Sequence, residues 1–393
     1  MNRRDRKTLF MHRKMPDSSP REGDQSETAR TIGRRRASFG TRAVIRESVT
    51  DAVGGISTMA CRVCGHLEEN CAWSVREMMF DLGESFDYTE CAHCGAIQIN
   101  RLPDSMERYY PEDYYARRPV VFRHEATWRR LAKRLRLRAR RGDFGKGAAN
   151  IFRQRGAPYY ALWLERTGVA ADAAILDFGC GSGRLLADLW NEGYRDLTGI
   201  DPYIEAERRH GSEIRIIKGG LEQIDREFDL IMLHHSFEHL PDPLRAMRQL
   251  CRFLRPEGVL FIRTPVASSW AHRHYGVHWA QWDAPRHCHL QTSASMEILA
   301  GKCGCVIVDS WCDSTELQFY GSEQNKRNIA LAAPMSYAMN RKSSLFSPHE
   351  IDSFRHRAEE LNAAMDGDQA CFIIRKTRVD EIGFPLDKAL RSP

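Results

Sequence analysis

Ile175-Leu176-Asp177-Phe178-Gly179-Cys180-Gly181-Ser182-Gly183-Arg184 runs from an apolar stretch through three alternate glycines into the start of an amphipathic segment. Glycine lacks a Cβ, so a backbone built this way can pass close to a ligand and adopt dihedrals that other residues avoid. A strand that breaks on such a turn and re-enters as a helix is the opening unit of a parallel α/β sheet, whose ligands sit beyond the carboxyl ends of the strands. The dinucleotide fingerprint is G-x-G-x-x-G. Here the spacing is G-x-G-x-G and Arg184 falls where the third glycine belongs, which argues against NAD or FAD.

Outward from this turn, strands and helices alternate, as expected for a sheet covered on both faces. The pattern predicts strands over 174–178, 197–201, 214–218, 228–234 and 259–264, helices over 184–192 and 244–253, and closing strands over 305–311 and 370–375. The 393 residues suffice for two domains and a tail. The expected organisation is a disordered basic leader (1–58), a cysteine module (59–116), a basic helical linker (117–157), an α/β core (158–320), an insertion or lid (321–365), and a closing strand with a C-terminal tail (366–393).

Composition narrows the function classes. Hydrophobic residues make up 42% and charged residues 28% of the chain, which excludes a collagen-like or wholly disordered protein. No run approaches the roughly 18–20 apolar residues that span a bilayer, so no transmembrane segment is expected. The net charge of +6 lies entirely in residues 1–60, where 13 basic side chains face 7 acidic ones. Residues 117–157 carry 14 Lys or Arg with Trp128, Leu131, Leu135 and Leu137 at roughly helical spacing. Such a helix suits phosphates, an anionic surface, or plain solvent beside the acidic block before it. Arg3-Arg4 is not followed by an apolar segment, so export is not expected and the cytoplasm is the expected compartment.

Four of the 12 cysteines form two pairs, Cys61-x-x-Cys64-Gly and Cys91-x-x-Cys94-Gly, separated by 26 residues. This is knuckle spacing, and four thiolates suit structural tetrahedral zinc with no open position for chemistry. A hairpin around Phe86–Tyr88 is expected to lead into the second pair.

The ordered set Asp177-x-Gly-x-Gly-x-Gly, Gly199-Ile-Asp201-Pro, Phe228-Asp-Leu-Ile-Met-Leu-His-His235-Ser-Phe-Glu238-His239 and Arg255-Pro-Glu-Gly258 resembles the class I S-adenosylmethionine-dependent methyltransferases over about residues 158–315. The resemblance implies a Rossmann-like, doubly wound, seven-stranded α/β sheet with a small N-terminal zinc-ribbon module. It implies that Asp177, Gly179, Cys180, Gly181 and Gly183 line the donor, that Asp201 accepts the ribose hydroxyls, and that backbone at Leu221 serves the adenine, since Gly220 stands where an acidic residue is common. The chain is also similar to bacterial methyltransferases with a four-cysteine zinc module, such as deoxysugar C-methyltransferases and enzymes of polysaccharide assembly. That implies a small-molecule acceptor, a sugar or sugar nucleotide, with Tyr109, Tyr110, Tyr114 and Tyr115 as an aromatic wall.

Methyl transfer to a hydroxyl or carbon acid needs a base near the donor. The candidates are His235 and His239, with Glu238 orienting the imidazole. The loop from Trp279 to His289 is dense in aromatics and donors, so Trp282, Arg286 and His287 are expected to recognise the acceptor, Arg286 through an anionic group. Five of the 15 histidines fall in residues 272–289, so a metal site through His287 and His289 is a second reading. Two rivals remain: a zinc-containing RNA methyltransferase, against which stands the lack of an N/D-P-P-Y/F signature, and a non-catalytic zinc-ribbon adaptor on a Rossmann scaffold.

Overall fold

The computed structural model describes residues 54–111, scattered positions between 120 and 135, 160–342 and 345–377. The leader up to residue 53, most of the 117–157 linker and the tail from 378 lie outside the described residues. In chain order the elements are β1 (Gly54–Ser57), β2 (Asn70–Arg76), β3 (Ser85–Glu90), β4 (Ile97–Ile99), α1 (Ala161–Thr167), β5 (Ala174–Phe178), α2 (Arg184–Glu192), β6 (Asp196–Asp201), β7 (Arg208–His210) and β8 (Ile214–Lys218). They continue with β9 (Phe228–His234), α3 (Pro243–Arg252), β10 (Leu254–Pro265), α4 (Trp270–Tyr275), β11 (His289–Leu290), α5 (Ser293–Lys302), β12 (Cys305–Cys312), α6 (Leu317–Lys326), α7 (Pro348–Ala363) and β13 (Gln369–Lys376).

The large sheet has the order β12-β13-β10-β9-β5-β6-β8-β7. Its five central strands are parallel, and β13 and β7 run antiparallel to their neighbours. All five residues of β5 are buried, as a strand covered on both faces requires. One face packs against α1 and α2 through Trp163, Leu186, Leu189 and Trp190, and the other against α3 and α5 through Met247, Leu250, Met296 and Leu299. Strand order reverses between β5 and β9, the switch point where a crevice opens beyond the strand ends.

The expected seven strands are eight. The extra one, β7, is Arg208-Arg209-His210, too short and too polar to show alternation; it pairs antiparallel to β8, and the His210 ring packs on Trp190 and Phe122. The N-terminal module also begins earlier than residue 59, because β1 pairs with β2.

That module is a second, five-stranded sheet in the order β1-β2-β3-β4-β11. β2 and β3 make the expected hairpin through Phe86 and Tyr88. Its last strand comes from the distant half of the chain: His289 pairs with Gln98 and Leu290 with Ile97, and Gln291 then bridges to Val266 beyond the end of β10. The stretch 289–291 therefore ties the small sheet to the segment that follows β10.

The segment expected as a lid is a packed layer. Phe319 of α6 stacks on Phe354 of α7 at 5.3 Å, and Leu331 and Ala332 donate backbone hydrogen bonds to Met78 and Met79 of the N-terminal module. Ser347 caps α7 in a reciprocal box with Glu350, and Pro348 takes the first helical position.

Thr292 locks the junction of the two sheets. Its Oγ1 donates to the Cys94 carbonyl at 2.6 Å and accepts from Ser295 N at 3.0 Å, capping α5. Thr292→Ala removes a cap and leaves a buried carbonyl without its donor, so it should lower stability by about 1–3 kcal/mol in denaturant titration.

Candidate functional site

The turn after β5 takes the shape that its glycines allow. Gly179 and Gly183 have φ of +79° and +84°, and a Cβ on either would lie 2.4 Å from Ser236 Cβ or from Ile216 Cδ1. Four amides of this turn are used by the fold: Gly179 and Cys180 donate to the Ile200 carbonyl, Gly183 donates to the Cys180 carbonyl, and Gly181 donates to Asp201 Oδ2 at 2.9 Å. A phosphate cradle needs free N–H groups aimed at the ligand. Those four N–H groups are spent within the fold.

Two carboxylates lie beneath it. Asp177 and Asp201 are 3% and 5% exposed. Burial, with Asp201 adding its charge, pushes Asp177 up to about 7. Burial also raises Asp201, opposed by the amides of Tyr203 and Gly181. The Tyr203 amide donates to Asp201 Oδ1 at 2.8 Å, so each Asp201 oxygen accepts one backbone hydrogen bond and retains a lone pair. The pair repels an anion such as pyrophosphate and favours a cation or hydroxyl donors. Leu221 stands in a single turn of 3-10 helix over 221–223, where the Gly220 amide donates to Gln223 Oε1 at 2.6 Å.

The loop after β9 adjoins the turn, with Ser236 Oγ donating to the Phe178 carbonyl at 2.7 Å. His235, with φ of +51°, opens it. The structure removes His235 from the expected role of base: Arg263 donates to its Nε2 at 2.7 Å, and its Nδ1 donates to Glu238 Oε1 at 3.3 Å. Glu238 is fully buried and also accepts from Thr264 Oγ1 at 2.8 Å. Burial favours its neutral form, but the His235 bond and the adjacent His287 and His239 bring it well below the usual carboxylate range.

His239 is oriented by backbone, not by Glu238 as expected from the sequence. Its Nδ1 donates to the Arg286 carbonyl at 2.8 Å, which fixes the tautomer and leaves the Nε2 lone pair available. Burial, reinforced by His287, pushes the imidazole down to about 4, so it is neutral at pH 7. The Tyr110 hydroxyl lies 3.3 Å from Nδ1, and the Tyr110 ring stacks on Tyr203 at 4.0 Å. Tyr203 follows Asp201 by two residues, so the Gly-rich turn and the histidine loop are joined through one aromatic pair. Tyr109 is buried elsewhere, its hydroxyl on Glu84 at 2.6 Å, and Tyr114 and Tyr115 lie outside the described residues.

The loop residues expected to recognise the acceptor divide. Trp282 is 2% exposed in the core beside Trp73, Tyr88 and Trp279, and its Nε1 donates to the Gly276 carbonyl, so it builds the wall of the module. Arg286 is 3% exposed and ion-paired to Asp283, which already provides the anion it was expected to seek. His287 does reach the cluster: its Nε2 is 3.5 Å from Asp283 Oδ2 and 3.9 Å from Glu238 Oε1, and its Nδ1 donates to the Gln281 carbonyl at 2.7 Å. His289 turns away to Gln291 and Phe237, so His287 and His289 do not make the joint metal site considered above. Asp283 escaped the sequence reading; its one signal was the Asp-Ala-Pro-Arg spacing that puts it three residues before Arg286.

In the N-terminal module, one sulfur from each of Cys61, Cys64, Cys91 and Cys94 lies within 4.8 Å of the others. The closest approaches are 3.6 Å for Cys61–Cys94 and 3.5 Å for Cys64–Cys91. Both turns close identically, with Gly65 N donating to the Cys61 carbonyl and Gly95 N to the Cys91 carbonyl.

Residues 126–310 match the family model described as a methyltransferase domain. Among curated proteins, the chain is similar to the ubiquinone biosynthesis O-methyltransferases of Yersinia enterocolitica and Yersinia pestis, at 27% identity over 112 residues, 26% of this chain and 46% of each relative. It thus spans about half the length of the curated relatives it matches. Similar solved structures include a cyclopropane synthase from Mycobacterium tuberculosis (17% identity, TM-score 0.38, 60% of this chain and 88% of that one). Another is the magnesium protoporphyrin IX methyltransferase from Synechocystis PCC 6803 (17% identity, TM-score 0.32, 39% and 74%). No helix among the described residues is long and apolar enough to cross a membrane.

Asp177 yields a test of the site's electrostatics without any ligand. Its folded-state pKa is raised, so its contribution to stability is full near pH 4 and is lost as pH rises through about 7. Asp177→Asn should lack that loss, so the stability difference between variant and wild type should move in the variant's favour between pH 5 and 7.5 in parallel urea titrations.

Proposed function

We propose that this chain transfers a methyl group from S-adenosylmethionine to a hydroxyl of a small-molecule acceptor, with a sugar or sugar nucleotide as the first class to test. The observation that carries the reading is the buried Asp177–Asp201 pair beneath the glycine turn, with Asp201 held by the amides of Gly181 and Tyr203. That arrangement suits a cationic, ribose-bearing ligand. S-adenosylmethionine fits it by charge and by donor count, and when bound supplies an electrophilic methyl group on a sulfonium. The matching methyltransferase domain supports the reaction class, and the curated relatives, O-methyltransferases by name, support oxygen as the accepting atom.

The chain's own residues then act as follows. Gly179 and Gly183 let the turn pack directly on Ser236 and Ile216, where a Cβ would clash, and so fix its course above the two carboxylates. The remaining lone pairs of Asp201 Oδ1 and Oδ2 accept two ribose hydroxyls, and ionised Asp177 favours the positive end of the ligand. His239, neutral and with Nδ1 anchored on the Arg286 carbonyl, presents Nε2 as proton acceptor for the incoming hydroxyl. Tyr110 covers the junction of the two halves. The four-cysteine cluster is proposed to hold structural zinc: bonds of about 2.3 Å give a tetrahedral edge of about 3.8 Å, close to the sulfur separations here.

Calorimetric titration with S-adenosylmethionine and S-adenosylhomocysteine should show one site. Asp201→Ala should weaken it by about a hundredfold or more, since two hydrogen bonds to a charged acceptor are lost. Absence of binding by folded wild type would remove the methyl-transfer reading and favour the non-catalytic adaptor. Affinity for the donor should rise from pH 6 to pH 8 as Asp177 ionises, and Asp177→Asn should flatten that rise. Elemental analysis should find one zinc per chain, lost in Cys64→Ser together with Cys91→Ser.

A further inference from the structure

One group of side chains near the candidate base has a donor set that proton transfer alone does not call for. Glu238, His239 and His287 each offer a ligand atom, and these atoms lie within 4.8 Å of one another. Both histidines have Nδ1 bound to a backbone carbonyl, Arg286 for His239 and Gln281 for His287. This is the arrangement that fixes metal-ligating imidazoles in the tautomer with Nε2 free. Glu238 is steadied by Thr264 and His235. Asp283 Oδ2, 3.5 Å from His287 Nε2, is a further oxygen at the edge of the group. The charges facing it are the two carboxylates against Arg286, paired to Asp283, and Arg263, which reaches the group through His235.

We propose that Glu238, His239 and His287 form a binding site for a divalent first-row transition cation, separate from the four-cysteine centre. Two imidazoles and one carboxylate make a borderline N/O donor set that suits Mn2+, Fe2+, Co2+ or Zn2+ and leaves coordination positions open. The four-cysteine centre is all sulfur and closed, so the two sites differ in the ions they select. The inference goes beyond methyl transfer and does not depend on it. A cation at this site occupies the His239 lone pair assigned above to proton acceptance, so the two occupancies exclude each other.

The test uses the full chain as purified, its zinc content measured, and Mn2+ alone as probe, because a hard ion is a poor match for four thiolates. Loss of the free-ion electron paramagnetic resonance signal should report one bound Mn2+ per chain, and pulsed measurements should show coupling to imidazole nitrogen. His287→Gln and Glu238→Gln should each weaken binding by about tenfold or more, while His274→Gln, at an exposed position, should leave it unchanged. No binding at millimolar Mn2+, binding without nitrogen coupling, or equal affinity in His287→Gln would overturn the proposal. The nitrogen coupling is read on wild type, so it stands even if a variant fails to fold. S-adenosylmethionine titration of the same sample separates the two readings: Mn2+ bound without donor binding defeats methyl transfer alone, and the converse defeats the cation site alone.

Discussion

Two residues of strand pairing carry more of this architecture than any helix. β11 closes the N-terminal sheet by setting His289 and Leu290 against Gln98 and Ile97, and its next residue, Gln291, bridges to Val266 just beyond β10. Everything from Asp283 to His287 is suspended from that stretch. Tyr88 donates to the His287 carbonyl at 3.0 Å, and Cys288 is held between Ile99 N and the Glu238 carbonyl. The histidine that reaches Glu238 is therefore positioned by the cysteine module as much as by the α/β core. The cysteine turns themselves pack in one apolar cluster with Phe178, Leu233 and Met296, so the module is built into the core rather than attached to it.

Electrostatics divide the crevice into two halves of different character. Around the Gly-rich turn, no basic side chain among the described residues hydrogen-bonds to Asp201, and two backbone amides fill part of its capacity. Around the β9 loop, each carboxylate is matched: Glu238 by His235 and Thr264, and Asp283 by Arg286. An unbalanced half favours binding a cation, and a balanced half whose His239 and His287 are each anchored through Nδ1 favours handling a proton or a metal at Nε2. The Tyr110–Tyr203 stack lies between them.

The central strands were legible because each is a short apolar run bounded by turn chemistry. β5, β8 and β9 and helix α2 match their expected limits to the residue. The four cysteines were legible because spacing alone brings two sulfurs to one point. What the sequence hid lies in elements defined by their partners and not by a pattern of their own: β7 by its neighbour β8, and β11 by the distant β4. β7 has three polar residues and β11 only two, too few for any periodicity to register. The fate of Arg286 and Trp282 followed the same rule: composition marked their loop as chemically rich, but only the fold shows that Asp283 already neutralises the arginine and that the tryptophan is a core residue. His235 looked as able a base as His239 until Arg263, 28 residues onward, claimed its second nitrogen.

The late arrival of β11 has a consequence for the birth of the protein. On the ribosome the first four strands of the small sheet emerge long before their fifth. With roughly 190 residues still to be made at about 5–20 per second, β4 waits about 10–40 s with one edge unpaired. An open edge beside apolar Ile97 and Ile99 is a template for wrong partners. The small sheet therefore stays open until roughly three quarters of the chain has been made, and nascent molecules are most exposed to mispairing in that interval.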